Sequence, residues 1–344
     1  MQDHTVTFEL DQSRWDAFVE GSAEATPYHR YSWRRVIEES FGHRGHYLAA
    51  LDGAGAVRGI LPLVHMRSAL FGNFLVSVPF VNYGGLLCNS DGAGAALVAA
   101  AERLRSSLGA GHVEMRHLAF KVGGLPARTH KVTMVLPLQP DAQSQWDSFN
   151  AKLRNQIRKA EKSGLTCTIG HLDLLDDFYD VFARNMRDLG TPVYGKEFFR
   201  NVLRAFPEHS KIFAVMNDGR TIAAGIVSWY RRTTEMPWAS SIREYKPLCP
   251  NNLLYWEAIR FAIDKGCASF DFGRSTPEEG TFNFKKQWGA QPVQLYWQYL
   301  LPEGEPLPEL SPKNPKFEAA IALWKRLPVG MTRILGPAIV RNIP

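Results

Sequence analysis

Two arginines in the second half of the chain have a type and spacing suited to binding phosphate. Arg154 and Arg158 stand four residues apart in a basic run with helix-forming composition, and residues at that spacing share one face of a helix. Each guanidinium can donate two parallel hydrogen bonds to phosphate oxygens, so the pair suits a diphosphate. The alternative is a solvated basic face of a surface helix, and this segment alone does not separate the two.

A second group of charged residues follows an apolar strand. The run Phe270-Asp271-Phe272 reads as a buried strand that enters a polar turn at Gly273-Arg274. Because side chains alternate along a strand, Asp271 is predicted to point away from the two phenylalanines. Loops that leave rigid strands often carry binding or catalytic groups. We predict that Asp271 and Arg274 line a cleft, and a structural salt bridge at the strand end is the alternative.

Beyond that turn, Phe284-Lys285 stands in a segment bounded by Gly280 and Gly289. A lysine beside an aromatic residue, shortly after a core strand, is the third candidate for chemistry. The alternative interpretation of the whole stretch is a polar surface loop.

Composition sets broad limits on the protein class. With 344 residues, of which 45% are hydrophobic, the chain has room for two domains. It has no apolar run long enough to span a membrane, and its start lacks the pattern of a signal peptide, so we expect a cytoplasmic protein. The four cysteines are scattered without a C-x-x-C pair, and a net charge of +6 does not by itself indicate nucleic-acid binding.

Several familiar motifs are incomplete or missing. The segment 190–197 has the glycine and lysine spacing of a P-loop, but it ends in Glu197 instead of a hydroxyl residue and follows a helix-like run. No G-x-S-x-G or H-E-x-x-H motif occurs. We therefore reject a nucleoside triphosphate site of this kind, find no support for a serine hydrolase, and predict no metal.

A weak internal repeat organises the rest of the chain. Each half contains a predicted hairpin, a further strand-rich stretch, an apolar-periodic helix, a glycine and a short strand. The hairpins are 46–63 and 211–228, and the helices are 94–108 and 252–265. Two copies of one mixed α/β unit are therefore predicted.

Together these segments resemble the FemAB family. The resemblance is carried by 154–164, 253–258, 270–274 and 284–289, in the family's order and spacing, whereas the first half matches only in outline. It implies an α/β (α+β) fold of two tandem GNAT-like domains with mixed sheets flanked by helices. The implied boundaries are 1–140, 141–300 and a Pro-rich basic tail over 301–344. More narrowly, the chain resembles FemAB-related proteins of exosortase/PEP-CTERM exopolysaccharide systems, through 186–192 and the tail.

The resemblance also implies roles for single residues. Lys285 matches the family lysine that stabilises the transition state, where an ammonium offsets charge on the carbonyl oxygen. Arg154 or Arg158 would hold a phosphorylated carrier, such as a nucleotide sugar or a lipid diphosphate. The other residues assigned to substrate binding are Phe284, Asp271, Arg274, Arg187 and Tyr194.

Departures from the family pattern leave the acyl donor open. No charged heptad insertion is present, which weakens aminoacyl-tRNA as donor, and no R-x-x-G-x-[G/A] loop is present, which weakens acyl-CoA. No bound cofactor is expected. The first-half strand that reaches Glu114 and His117 lacks the family's acidic-proline ending, so we expect an altered acceptor pocket.

The C-terminal tail predicts an amphipathic helix. Phe317, Ala320, Ile321, Trp324 and Leu327 fall at helical spacing among basic residues that include Lys316. Such a helix over 313–344 could make peripheral contact with the inner membrane. The alternative is that it packs onto the body of the protein.

The function predicted from the sequence is a FemAB-type transferase. It would form an amide by moving an aminoacyl or acyl group onto an amine of a cell-envelope or exopolysaccharide precursor, either phosphorylated or lipid-linked. The alternatives are a non-catalytic binding or scaffold protein of an exopolysaccharide assembly and a CoA-dependent N-acyltransferase.

Overall fold

Two mixed sheets form the framework of the computed structural model, which describes residues 4–69, 71–119, 122–308 and 315–343. The strands are β1 (Thr5–Thr7), β2 (Arg44–Leu51), β3 (Val57–Ser68), β4 (Gly72–Ser77), β5 (Leu87–Cys88), β6 (Val113–His117), β7 (Ala127–Arg128), β8 (Val132–Pro137), β9 (Thr166–Gly170), β10 (Ser210–Asn217), β11 (Arg220–Tyr230), β12 (Thr233–Ser241), β13 (Ser269–Ser275), β14 (Gln291–Gln294) and β15 (Tyr296–Leu300). The α-helices are α1 (Gln12–Gly21), α2 (Ser32–Phe41), α3 (Asp91–Ser107), α4 (Ala142–Ser148), α5 (Ala151–Lys162), α6 (Leu175–Leu189), α7 (Lys196–Ala205), α8 (Pro250–Asp264), α9 (Gly280–Lys286), α10 (Pro315–Trp324) and α11 (Val329–Val340).

The two sheets repeat one strand order. The first runs β1-β2-β3-β4-β6-β15-β7, with β5 beside β3, and the second runs β9-β10-β11-β12-β13-β8-β14. Each contains a parallel pair at the equivalent place, β4 with β6 and β12 with β13. The predicted repeat is thus present as two equivalent sheets.

The compact units do not follow the chain continuously. The first unit comprises 1–131, 294–310 and 341–344, and the second comprises 132–293 and 311–340. These limits differ from the predicted boundaries at 140 and 300 for a specific reason. Strand β8, assigned from the sequence to the first domain, pairs with β13, and β15, assigned to the second domain, pairs with β6.

Local sequence signals place the repeated elements correctly. Both predicted hairpins form, as β2–β3 and β10–β11. The two apolar-periodic helices are α3 and α8, and the glycines beyond them, Gly109 and Gly266, have φ of +59° and +71°. A positive φ is the conformation that glycine supplies at helix C-termini at low steric cost.

The second unit packs helices on both faces of its sheet. One face carries α5 and α8 over a core that includes Phe270, Phe272 and Val227. The opposite face carries α6 and α7, where Phe198 and its neighbours meet Trp238 at 5.3 Å. Within the described residues, no helix combines the length and hydrophobicity of a transmembrane span.

We predict that Phe270→Ala destabilises the second unit by about 3–5 kcal/mol. The ring is fully buried and lies 4.9 Å from that of Phe272, so truncation leaves a cavity that the packed sheet fills only in part. Urea unfolding followed by tryptophan fluorescence would measure the change. Ile169→Ala, at a side chain that is 47% exposed on the same sheet, is the control and should cost less than about 1 kcal/mol. Equal effects of the two variants would contradict this account of the core.

Candidate active site

A kink in β13 is the structural feature around which the predicted site residues gather. The register between β13 and β8 shifts between Asp271 and Arg274, and Gly273 there has φ of +75°. The Asp271 carboxylate accepts a hydrogen bond of 2.7 Å from the Gly273 backbone N–H. Glycine supplies the positive φ that such a bulge needs, and bulges are common next to active sites.

The sheet opens beside this kink. Strands β12 and β13 pair only from Thr233–Glu235 to Ser269–Asp271, although both strands continue beyond that point. Past it, β12 stays paired with β11, while β13 stays paired with β8. The two parallel strands therefore separate at their carboxyl ends, the side of a parallel pair where ligands commonly bind.

Lys285 lies at the kink. It is on the short helix α9, where the sequence suggested a loop, and its side chain is buried, with 7% of the residue exposed. Its ammonium donates hydrogen bonds to the carbonyl oxygens of Gly273 at 2.8 Å and Arg274 at 3.0 Å.

The charge state of Lys285 reflects opposing effects. Burial lowers the pKa of the ammonium to about 8, the carboxylates of Asp271 and Glu235 act to raise it, and Arg274 acts to lower it further. With a pKa of about 8, most of the side chain still carries its proton at neutral pH. The kink therefore holds a largely desolvated positive charge.

Two buried carboxylates accompany this lysine. Glu235 and Asp271 are register partners on β12 and β13, and each is 2% exposed. Asp271 also accepts a hydrogen bond from the Thr133 hydroxyl. Asp271 was predicted from strand alternation, whereas Glu235 was missed. The signal for Glu235 was an acidic residue inside a strand-like run, the one that forms β12.

Two polar groups, one at the end of β13 and one just after α9, lack hydrogen-bond partners among the described residues. They are the Ser275 hydroxyl and the indole N–H of Trp288, both buried. Buried polar groups are usually paired with protein or water, so such groups can accommodate a ligand or a water molecule. Phe284, which was predicted to contact substrate, is half-buried, and its ring lies 5.3 Å from that of Tyr255.

The arginine pair lies on α5, and this helix begins next to α9. Asn150 caps α5 by accepting a hydrogen bond from the Leu153 N–H, and its amide donates to the Gln287 carbonyl at 3.3 Å. Arg154 lies one turn further on, 4.0 Å from the Asp147 carboxylate, and its Nε is buried without a hydrogen-bond partner among the described residues. Arg158 is exposed, and its guanidinium lies 5.2 Å from the Trp146 ring centroid.

Arg187 lies on α6, and Tyr194 lies in the segment between α6 and α7. Arg187 pairs with Asp188 at 2.7 Å and donates to the Leu327 carbonyl at 2.9 Å. The Tyr194 ring packs on Phe198 at 5.3 Å. Their predicted role in substrate binding stays a prediction, because these contacts show them supporting local structure.

The first unit contains a cavity of its own, of about 220 Å³. Its lining includes His29, Gly85, Arg116 and His117, and a side chain on Gly85 would collide with the His117 ring. Arg116 is buried and pairs with Glu114 at 2.7 Å. Burial opposes ionisation of Glu114, but the guanidinium of Arg116 offsets it and holds the pKa of the carboxyl below its usual value. The segment predicted to differ from the family's acceptor pocket thus lines a small cavity through Arg116 and His117.

Comparisons with known proteins confirm the fold class. Residues 147–286 match the family model of an acetyltransferase (GNAT) domain, and no curated protein matches the chain. A crystal structure of FemX is similar with a TM-score of 0.65 and 15% identity, over 85% of this chain and 96% of that one. The C-terminal domain of a putative lysylphosphatidylglycerol synthetase from Agrobacterium fabrum has a TM-score of 0.56 and 12% identity, and the match covers 91% of this chain and 94% of that one. A tandem GNAT protein from the clavulanic acid biosynthesis pathway has a TM-score of 0.55 and 12% identity, and the match covers 90% of this chain and 100% of that one. The chain therefore has a tandem GNAT fold.

We predict that burial of Lys285 makes stability depend on pH in a defined window. Below pH 8 the folded and unfolded chains both hold the proton. Between about pH 8 and 10.5 only the unfolded chain holds it, so raising the pH favours the folded state. Relative to Lys285→Met, the free energy of unfolding of the wild type should rise by on the order of 3 kcal/mol across this window.

Urea unfolding at a series of pH values, compared between the two proteins, measures this gain. Lys286→Met, at an exposed neighbour on the same helix, is the matched control and should follow the wild type. Parallel pH dependences for wild type and Lys285→Met would contradict the buried, desolvated ammonium.

Proposed function

We propose that this protein is a FemAB-like transferase that forms an amide by moving an aminoacyl or acyl group onto an amine of a cell-envelope or exopolysaccharide precursor. The observation that carries the proposal is the buried ammonium of Lys285 beside the opening between β12 and β13. The GNAT match over 147–286 includes both Lys285 and the β13 kink.

The chemistry needs a positive charge at such a place. When an amine attacks the carbonyl carbon of an acyl donor, a C–N bond forms and negative charge develops on the carbonyl oxygen. Lys285 would stabilise that oxygen through a charge already desolvated and oriented by the Gly273 and Arg274 carbonyls. The tetrahedral intermediate then collapses. The bond to the donor's oxygen or sulfur breaks, the leaving group takes up a proton, and the amine nitrogen loses one.

Asp271 and Glu235 help to keep Lys285 protonated, because their negative charges raise the pKa of its ammonium. Without them, burial would lower the pKa further, and less of the side chain would be protonated at neutral pH. In this proposal the two carboxylates position and maintain the cation and do not contact the reacting atoms.

The donor is proposed to be an aminoacyl ester or an acyl thioester. The similar protein named as a lysylphosphatidylglycerol synthetase supports aminoacyl transfer, whereas the similar tandem GNAT protein, whose structure is described as lacking AcCoA, supports an acyl-CoA donor. The sequence resemblance to PEP-CTERM-associated proteins supports an exopolysaccharide precursor as acceptor.

One observation favours the alternative of a non-catalytic binding or scaffold protein. Lys285 is nearly inaccessible, and its two hydrogen bonds to carbonyls could serve only to hold the kink of β13. The two roles differ in what Lys285→Met does. A purely structural lysine affects folding, whereas a catalytic one affects product with the fold intact.

We predict that cells carrying Lys285→Met lose the amide-linked group from their envelope or polysaccharide precursors, by about a hundredfold or more. Mass spectrometry of the precursor pool would measure the loss, with circular dichroism of the purified variant to show that it folds. Lys286→Met is the matched control and should retain the product. A folded Lys285→Met protein with an unchanged precursor profile would support the scaffold alternative and contradict the proposal.

We also predict that Arg154→Ala and Arg158→Ala each weaken binding of a nucleoside diphosphate sugar by about tenfold or more. Each loses charge-assisted hydrogen bonds to phosphate. Calorimetry would measure the affinity. Lys159→Ala, an exposed cation on the same helix, is the control for general electrostatic attraction. Equal losses in all three variants would show a diffuse basic surface in place of a diphosphate site.

A further inference from the structure

The C-terminal helices pack on the second unit through the apolar stripe recognised in the sequence. Trp324 is 9% exposed. Ile321 packs against Gly190, where a Cβ added to the glycine would lie 2.5 Å from the Ile321 side chain. Arg187 fastens the following turn by donating to the Leu327 carbonyl. Ile321 and Trp324 of this stripe therefore pack onto the body, the alternative given above, whereas Ala320 is exposed. Lys316 and Phe317 lie outside the residues whose side chains the structure describes.

Helix α11 packs on the same unit through a second inner face. Thr332, Gly336 and Val340 are buried there, and a Cβ on Gly336 would come within 2.8 Å of the Val193 backbone nitrogen. Arg333 at the side of the helix pairs with Asp180 at 2.6 Å. The inner face is therefore closely fitted, and the orientation of the helix is fixed.

The outer face of α11 is apolar and exposed. Met331, Ile334, Leu335 and Ala338 follow the i, i+3, i+4, i+7 spacing of one helix face, and all four are exposed. Ile334 is 77% exposed, and Leu323 at the end of α10 is 63% exposed. Of the nine large apolar side chains that are exposed in the described residues, four are Leu323, Met331, Ile334 and Leu335. The concentration of four of these nine residues between positions 323 and 335 indicates an interaction surface.

Positive charge accompanies this apolar surface. Residues 315–343 contain five basic side chains and one acidic side chain. Arg333 is paired with Asp180, and Arg341 donates to the Phe41 carbonyl. Lys325 and Arg326 follow Leu323 within three residues and are both exposed. An apolar helix face with basic neighbours is the pattern of helices that lie in the interface of anionic membranes.

We infer that the outer face of α10 and α11, formed by Leu323, Met331, Ile334 and Leu335, docks on the surface of an anionic lipid bilayer. The apolar side chains enter the boundary between headgroups and acyl chains, and Lys325 and Arg326 contact the acidic headgroups. The helices lie in the plane of the membrane. A second protein copy would bring two such basic surfaces together, which charge repulsion disfavours. This inference goes beyond the proposed function and does not depend on it.

Vesicle co-sedimentation of the full chain tests the inference. The wild type should bind vesicles of phosphatidylcholine mixed with phosphatidylglycerol, and should bind pure phosphatidylcholine vesicles at least tenfold more weakly. The double variant Met331→Asp/Ile334→Asp should lose about tenfold or more of its binding to the mixed vesicles, because its apolar insertion is lost. Lys325→Glu/Arg326→Glu should bind the mixed vesicles weaker by a similar factor, and its remaining binding should no longer depend on the salt concentration.

Ile169→Asp, which changes an exposed apolar residue elsewhere on the same unit, is the matched control and should bind as the wild type does. Equal binding by wild type and Met331→Asp/Ile334→Asp would overturn the inference. A second result would also overturn it. If light scattering shows that the wild type is a dimer and that this variant is a monomer, and neither protein binds vesicles, then the face joins two copies of the chain.

Discussion

The burial of one ammonium group at the kink of β13 is the constraint on which the candidate site depends. A lysine loses hydration when it is buried, and here two carbonyl oxygens replace part of that hydration while Asp271 and Glu235 balance the charge. Both carbonyls belong to the kink, where Gly273 takes a positive φ. The glycine, the carboxylates and the lysine thus form one interdependent unit, placed where β12 and β13 separate.

The tandem fold gives each unit a strand in the equivalent position, and the two have diverged in chemistry. In the first unit, β6 carries Glu114 and Arg116, which form a buried ion pair under the Trp297 ring. In the second, β13 carries Asp271, and the cation comes from α9 instead. An arginine locked between a carboxylate and an indole is a structural cation. The lysine has a lowered pKa. Ser275 on β13 and Trp288 after α9 carry buried polar groups that have no hydrogen-bond partner among the described residues, an arrangement better suited to chemistry.

Local patterns were enough to predict much of this from the sequence. Hairpins, helix ends at Gly109 and Gly266, and the side of β13 on which Asp271 lies all follow from alternation, periodicity and glycine chemistry. The exchange of β8 and β15 was not predictable in this way, because strand partners far apart in the chain are chosen by whole-sheet packing. The same reason explains why Glu235 was missed: its proximity to Lys285 exists only once β12 pairs with β13.

The buried ammonium is tested most directly by an NMR titration of the Lys285 side chain, using isotope-labelled lysine and assigning the signal with Lys285→Arg. We expect a midpoint near pH 8, since burial outweighs the stabilising carboxylates. In Glu235→Gln the midpoint should move lower, because the variant removes a negative charge that favours the ammonium. A midpoint at the ordinary value of 10.5 or above, unchanged in Glu235→Gln, would contradict the buried cation and, with it, its assigned role in acyl transfer.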